Sequence, residues 1–394
     1  MPAAVWVLGA AIFAQGTSEL MLAGLLPELS ADLSVTVPQA GLLVSVFALG
    51  MLIGAPVLAV LTLRWPRRRA MLMFLGVFIA AHVAGALTSS YVVLLAVRFI
   101  SAFVYAGFWA VGAGTAISLV TPDRRGRAMS VVAGGLTVAT VIGLPAGTWI
   151  GQHLGWRGAF WAVAVLTAVA TVAVLLAVPD TRPNPAPRLA DELRTLATPR
   201  LWLSYTMTAV SVSALVGPFT YLSALLITTS GLEARWIPLV LAGYGAGAVA
   251  GMAIGGQTAD RRPRATLAVG FTALIVILVL MALSTHHIAL FTILTVLLGL
   301  AGFGVNPALN ARVFSLAPSA PTLTAAGTTA AFNVGIGVGP WLAGIALTAG
   351  FGYPIVMWIG AVLGVAALGL LAIDVALDRG RTTPAPESAE LCRS

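Results

Sequence analysis

The sequence predicts an all-α membrane protein whose twelve transmembrane helices form two pseudo-symmetric six-helix bundles. Three observations predict it: the scarcity of charge, the length and number of the apolar runs, and a repeat between the halves. Of 394 residues, 59% are hydrophobic and 9% charged, against about 25% charged in soluble domains. A soluble chain of this composition would expose more apolar surface than water tolerates. The apolar blocks have the length of the ~20-residue helix that spans ~30 Å of hydrocarbon.

Reading apolar runs between polar breaks gives spans at 3–26, 40–63, 70–88, 91–120, 128–150, 158–178, 201–228, 237–258, 265–284, 288–311, 325–349 and 354–377. The first run lacks a basic n-region and an A-x-A cleavage site, so it reads as a retained helix. An even number of spans puts both termini on one side. Eighteen of the 21 basic residues then fall on that side; Arg157 and Arg235 fall on the other, and Arg98 lies within the membrane. Cytoplasmic loops carry the excess of basic residues, so both termini are expected in the cytoplasm.

A net charge of +8 raises the question of nucleic acid, but the arginines sit in short clusters between spans and make no continuous basic face. No nucleic-acid partner is expected. The chain has no lysine, which excludes a Walker A loop and direct use of ATP. No enzyme dyad, cofactor motif or metal-site spacing is visible, so no cofactor or metal is expected. The single Cys392 precludes an internal disulfide.

The halves repeat at a spacing of 197 residues. Leu63-Arg64-Trp65-Pro66-Arg67 aligns with Asp260-Arg261-Arg262-Pro263-Arg264, Gly155-Trp156 with Gly352-Tyr353, and Trp161 with Trp358. Parallel repeats of six spans are an architecture of transporters whose halves move about a central site. The expected organisation is an N-terminal bundle over 1–178, a Pro-rich cytoplasmic linker over 179–200, a C-terminal bundle over 201–377 and a tail over 378–394. A short linker helix is expected around Leu189–Leu196.

These motifs together resemble the major facilitator superfamily over essentially the whole chain. Ala59 to Arg68 is similar to the loop motif G-x-L-x-D-R-x-G-R-R, with Leu63 in place of the acid and Pro66 in place of the glycine. The second copy, Gly256 to Arg264, keeps Asp260. Arg98 stands where the family has a buried arginine. Gly143-Leu144-Pro145-Ala146-Gly147 is a variant of the antiporter Gly-Pro motif, and Gly155-Trp156-Arg157 with Phe160 matches G-W-R-x-x-F. Gln15 to Pro27 is similar to the first helix of actinobacterial chloramphenicol exporters. Sugar-efflux relatives share part of that signature.

The resemblance implies proton-coupled efflux of small drug-like molecules by alternating access, in the inner membrane of a bacterial cell. The implied partners are a small-molecule substrate, protons and the lipid bilayer, with the chain a monomer. Sugar or nucleoside transport by the same fold and a membrane sensor without transport are the rival readings. A passive facilitator would need no titrating carboxylate.

Ionisable groups inside a bilayer are functional candidates by default. The spans above contain Glu19, Arg98 and His82 as such candidates, and Glu19 reads as the only deep carboxylate. Counting from Leu26 and Tyr91 puts Glu19 and Arg98 each ~10 Å below the outer surface. The resemblance makes the first and fourth spans neighbours. Burial favours a neutral carboxyl and a nearby guanidinium favours a charged one, so the pair could carry a proton; it could equally be a static ion pair that fixes packing. His82 reads as a neutral, hydrogen-bonded imidazole on a peripheral helix.

Helical periodicity puts Gln15 with Glu19, and Arg98 with Tyr105 and Trp109, on shared faces. With Phe219, Tyr221, Phe303, Asn306 and Asn310 they would line an aromatic cavity suited to flat drugs, though any of these aromatics could instead pack or face lipid. Small residues recur every four positions at Gly243–Gly255, Gly135–Gly151 and Gly327–Ala343, a spacing that permits close helix contact. The resemblance implies that these stripes are sliding seams between the halves. It also implies a gate built from Arg64, Arg67, Asp260, Arg261 and Arg264, with Arg124, Arg125 and Arg127, and from Gly143, Pro145 and Gly147. Because Leu63 is not an acid, Asp260 with the 124–127 arginines is expected to be the principal latch.

Overall fold

The computed structural model describes residues 1–62, 64–180, 198–317 and 321–382. Its twelve spans are α1 (Ala3–Asp32), α2 (Val37–Leu61), α3 (Arg67–Leu87), α4 (Tyr91–Ser118), α5 (Pro122–Leu154), α6 (Trp156–Ala177), α7 (Pro199–Thr228), α8 (Ala234–Arg261), α9 (Pro263–Leu283), α10 (Ile288–Leu316), α11 (Thr324–Thr348) and α12 (Pro354–Asp378). Each matches an expected span to within a few residues, with the largest departures, six residues, at the end of α1 and the start of α5. Leu63 and the expected linker helix at Leu189–Leu196 lie outside the described residues.

The helix ends have local causes. A capping box starts α2, where Gln39 N donates to Thr36 Oγ1 and Thr36 N to Gln39 Oε1; such caps contribute about 1 kcal/mol. Gly155 has φ 74° between α5 and α6, a left-handed turn that favours glycine. Within the membrane, hydroxyls that would otherwise be unsatisfied turn back on their own helix, as Thr17 Oγ1 does on Phe13 O and Thr140 Oγ1 on Leu136 O. Pro145 removes a backbone donor, and the helix before it widens into a π-turn over Ala139–Gly143, a common way to relieve a proline's crowding of the preceding turn.

One large apolar core joins α1 to α6, built on Phe47, Phe74, Phe78, Phe108 and Phe160. Others serve α7 to α10 and α12, around Phe291, Leu298 and Phe271. Between the halves, Leu26, Ala40, Tyr221, Ala343 and Val356 form a smaller cluster. Ser45 Oγ donates to Gly337 O, Ser223 Oγ to Ala23 O, and Gln152 Nε2 to Ala234 O. All of these joints lie on the side away from the termini.

The small-residue stripes do not lie between the halves, contrary to expectation. Gly247 and Gly251 of α8 face the Val296 and Leu300 carbonyls of α10, and Gly335 and Gly339 of α11 face Ala209 and Ser213 of α7. The α5 stripe faces α1, with Gly143 against Thr17 and Gly147 against Met21. A stripe with no side chains suits the closest, permanently packed neighbours, and those belong to the same half. Between halves the close approach is made by another face: a Cβ on Gly245 would lie 2.6 Å from Thr140 O.

α1 continues six residues past its expected end, through Pro27 to Asp32. Trp156 Nε1 donates to Asp32 Oδ2 at 2.9 Å, and Arg157 bonds Asp32 and also Thr88 O. The G-W-R motif therefore ties the tip of α1 to the ends of α3 and α6. Glu19 lies thirteen residues inside that tip, ~20 Å by the helical rise.

Candidate functional site

A central cavity of about 220 Å³ lies between the halves. Glu19, Leu20 and Ala23 of α1 line it with Leu136 and Thr140 of α5, facing Ser211, Phe219 and Thr220 of α7, Tyr244 of α8, Phe303 and Asn306 of α10, and Phe332 of α11. Phe219 stacks on Tyr244 with centroids 4.4 Å apart, and Tyr244 meets Phe303 edge-on at 6.2 Å. The wall from the second half is thus aromatic, with a hydroxyl or amide at intervals. Glu19 is the ionisable carboxylate on it. Such a surface grips a planar apolar body and offers a few hydrogen bonds to its polar substituents.

Of the expected substrate residues, Glu19, Phe219, Phe303 and Asn306 line this cavity. The others sit elsewhere. Gln15 is fully buried and donates to Ala11 O. Tyr105 packs near Phe47 and Phe78, and Trp109 packs on the same core. Tyr221 is wedged between Gly41 and Gly344 and donates to Pro340 O at 3.1 Å. Asn310 bonds Asn306 O one turn away. Helical periodicity identifies residues that share a face, but not which face meets the cavity. Tyr244 was missed because it stands inside a glycine stripe; a lone aromatic between Gly243 and Gly245 was the available signal.

Arg98 and Glu19 do not form the expected ion pair. Arg98 is fully buried and its Nη1 donates to Ser18 O at 3.1 Å and Ser18 Oγ at 2.9 Å, while the guanidinium lies 4.2 Å over the Phe47 ring. Its Nε and Nη2 have no hydrogen-bond partner among the described residues. His82 is hydrogen-bonded, as expected, and fully buried, with Nε2 2.6 Å from Ser18 Oγ and Nδ1 2.8 Å from Phe78 O. Ser18 and Glu19 are consecutive, so the helix turns one toward α3 and α4 and the other toward the cavity.

A second set of buried charges was absent from the sequence reading. Asp374 of α12 is 1% exposed and pairs with Arg312 at 2.8 Å and Arg200 at 3.3 Å. Asp378 pairs with Arg200, Arg264 and Arg312. Glu19 is therefore not the only carboxylate inside a span, although Asp374 sits near a helix end and is fully ion-paired. The first half has a counterpart in Arg68 and Arg69, 3.9 and 3.8 Å from Asp180.

The expected gate residues follow the same local pattern. Arg264 serves Asp378, Arg67 donates to Ser118 Oγ, and Arg124 pairs with its neighbour Asp123. Asp260, Arg261, Arg64, Arg125 and Arg127 are exposed, and Asp260 joins no ion pair among the described residues. The expected latch is not closed in this structure. The reason is geometric: α8 packs on α5 through the 139–154 stretch, not at the 124–127 loop. Gly143 and Gly147 seat α1, and Pro145 follows the π-turn.

The Major Facilitator Superfamily pattern matches residues 8–331. The chain belongs to the major facilitator superfamily. It is 44% identical over 352 residues to a chloramphenicol resistance protein of Streptomyces lividans, covering 88% of this chain and 90% of that protein. An inner membrane transport protein of Escherichia coli K12, YdhP, is 31% identical and covered to 92% on both sides. Among solved structures, a bacterial homologue of the human lysosomal transporter Spinster, inward-facing and unoccupied, superposes with a TM-score of 0.70 at 18% identity, covering 95% of this chain and 94% of that one. This superfamily member is thus a multi-pass membrane transporter and not an enzyme.

Proposed function

We propose that this transporter exports small drug-like molecules, chloramphenicol-type antibiotics foremost, in exchange for protons by alternating access. The observation that carries this reading is the central cavity, where one unpaired carboxylate, Glu19, faces a wall of Phe219, Tyr244 and Phe303. The similarity to a chloramphenicol resistance protein supports the substrate class. The excess of arginine on the terminal side supports cytoplasmic termini. With the halves joined on the far side, the structure then fits a state open toward the cytoplasm. Efflux-deficient cells expressing the protein should survive raised chloramphenicol, and an uncoupler should abolish that advantage. Protection that persists with the proton gradient collapsed would point to a facilitator.

The charge on Arg98 favours ionised Glu19, so Arg98→Ala should move the pH optimum of transport upward. A pH profile in reconstituted vesicles reads this directly. An unchanged optimum in an active variant would leave Arg98 as packing. Arg98→Lys is a poor control, because a compact ammonium cannot reproduce the planar guanidinium's stacking over the Phe47 ring.

In this scheme the latch between Asp260 and Arg124, Arg125 and Arg127 belongs to the opposite conformation, in which the terminal side closes. Charge-assisted contacts of this kind contribute on the order of 1–3 kcal/mol. Asp260→Asn should therefore shift the population further toward the state open on the terminal side, and Leu63→Asp should partly restore closure. Labelling of a cavity cysteine from the cytoplasm, with Cys392 replaced, should be faster in Asp260→Asn. Equal rates would put the latch elsewhere.

A further inference from the structure

His82 and Ser18 form a buried chain whose proton direction is fixed by what surrounds it. Phe78 O, 2.8 Å from Nδ1, can only accept, so in the neutral imidazole Nδ1 carries the proton and Nε2 presents a lone pair. Ser18 Oγ, 2.6 Å away, must donate its single proton to that nitrogen. Its remaining lone pairs are then available to Arg98 Nη1, which donates to them at 2.9 Å. The ring of His82 is held in this orientation by Phe78, stacked at 4.2 Å, and by Phe160 at 5.5 Å.

The arrangement has a cost that needs a reason. A buried guanidinium has five N–H donors, and here Nε and Nη2 bond nothing. The carboxylate of the next residue along α1 is the natural acceptor for them, yet no ion pair to Glu19 forms.

We infer that His82, acting through Ser18, is a positioning residue that tethers Arg98 away from Glu19 in this conformation, leaving Glu19 free to take up a proton from the cavity. This rests on the reading of Glu19 as the coupling carboxylate. The titratable and charged groups facing the chain are Glu19 from α1, His82 from α3, and Arg98 and Tyr105 from α4; Tyr105 Oη lies 3.6 Å from where a Cβ on Gly16 would be. Across the cavity the second half contributes Tyr244. α2 and α6 present the Phe47 and Phe160 rings to it, and among the described residues no ion pair or hydrogen bond from a titratable group of either reaches it.

The test is the pH profile of chloramphenicol transport in reconstituted vesicles. His82→Leu removes the acceptor that orients the Ser18 hydroxyl, and Ser18→Ala leaves Arg98 only its bond to Ser18 O; with the tether weakened Arg98 turns toward Glu19, and the pH of half-maximal transport should fall by about one unit, the low end for a carboxylate gaining an arginine neighbour. This is opposite in sign to Arg98→Ala. His82→Gln should restore the wild-type profile, since its amide can donate to Phe78 O and accept from Ser18. In an Arg98→Ala background, His82→Leu should cause no further shift. A profile in Ser18→Ala that overlays wild type, or moves to higher pH, overturns the inference; that variant removes one oxygen and carries the test if His82→Leu folds poorly. Glu19→Gln separates the two levels: coupled export surviving in it would refute the proposed function itself, whereas its loss together with an unmoved Ser18→Ala profile would refute only the tether.

Discussion

A Glu19→Gln variant inserted at wild-type levels is expected to equilibrate substrate across the membrane without accumulating it. The substitution keeps the side chain's size and removes its ability to exchange a proton at the cavity wall. Each proton moved down one pH unit supplies about 1.4 kcal/mol, which sustains a tenfold substrate gradient. Wild-type vesicles should therefore hold about a tenfold gradient per pH unit for each coupled proton, and the variant none. Downhill exchange of labelled for unlabelled substrate should continue, because the aromatic wall of Phe219, Tyr244 and Phe303 is untouched. Uphill transport by a well-expressed Glu19→Gln protein would remove Glu19 from the coupling reaction.

Asp374→Ala should produce the largest loss of stability. The carboxylate is 1% exposed and bonds Arg312 through both oxygens, with Arg200 beside it. Its removal leaves two guanidiniums, 13% and 15% exposed, with only Asp378 to neutralise them. Breaking a buried ion pair by deleting one partner costs 3–5 kcal/mol; with Asp378 remaining, about 3 kcal/mol is expected. Thermal unfolding in detergent should show a drop of several degrees. Asp32→Asn, at a largely exposed pair with Arg157, should cost much less. Asp374→Asn should also leave the pH dependence of transport in place, which distinguishes a structural carboxylate from a coupling one. A variant that melts with wild type would mean that α7, α9, α10 and α12 are held by other contacts.

The number of spans and their approximate ends were legible because each depends on residues close in the chain. The end of α1 was misplaced because Pro27 and the polar residues after it read as a loop, whereas Trp156 and Arg157 hold that stretch helical from a distance. Pairings between helices were less accessible. Asp374 sits at the edge of an apolar run and looks like a helix end until arginines from α7 and α10 converge on it. Arg98 and Glu19 were placed side by side, but a serine hydroxyl and a histidine from a third helix decide which groups bond. Glycine spacing identified helix faces that pack tightly without identifying the neighbour each one meets.

The joint between the halves on the side away from the termini is made of neutral groups: Tyr221 packed on Gly41, serine and glutamine bonds to backbone oxygens, and aliphatic packing. The opposite face is crowded with arginines. Dissolved salt weakens interactions between exposed charges and leaves neutral contacts nearly unchanged. Ionic strength should therefore act on the arginine contacts of the terminal face and leave the joint between the halves on the far face nearly untouched.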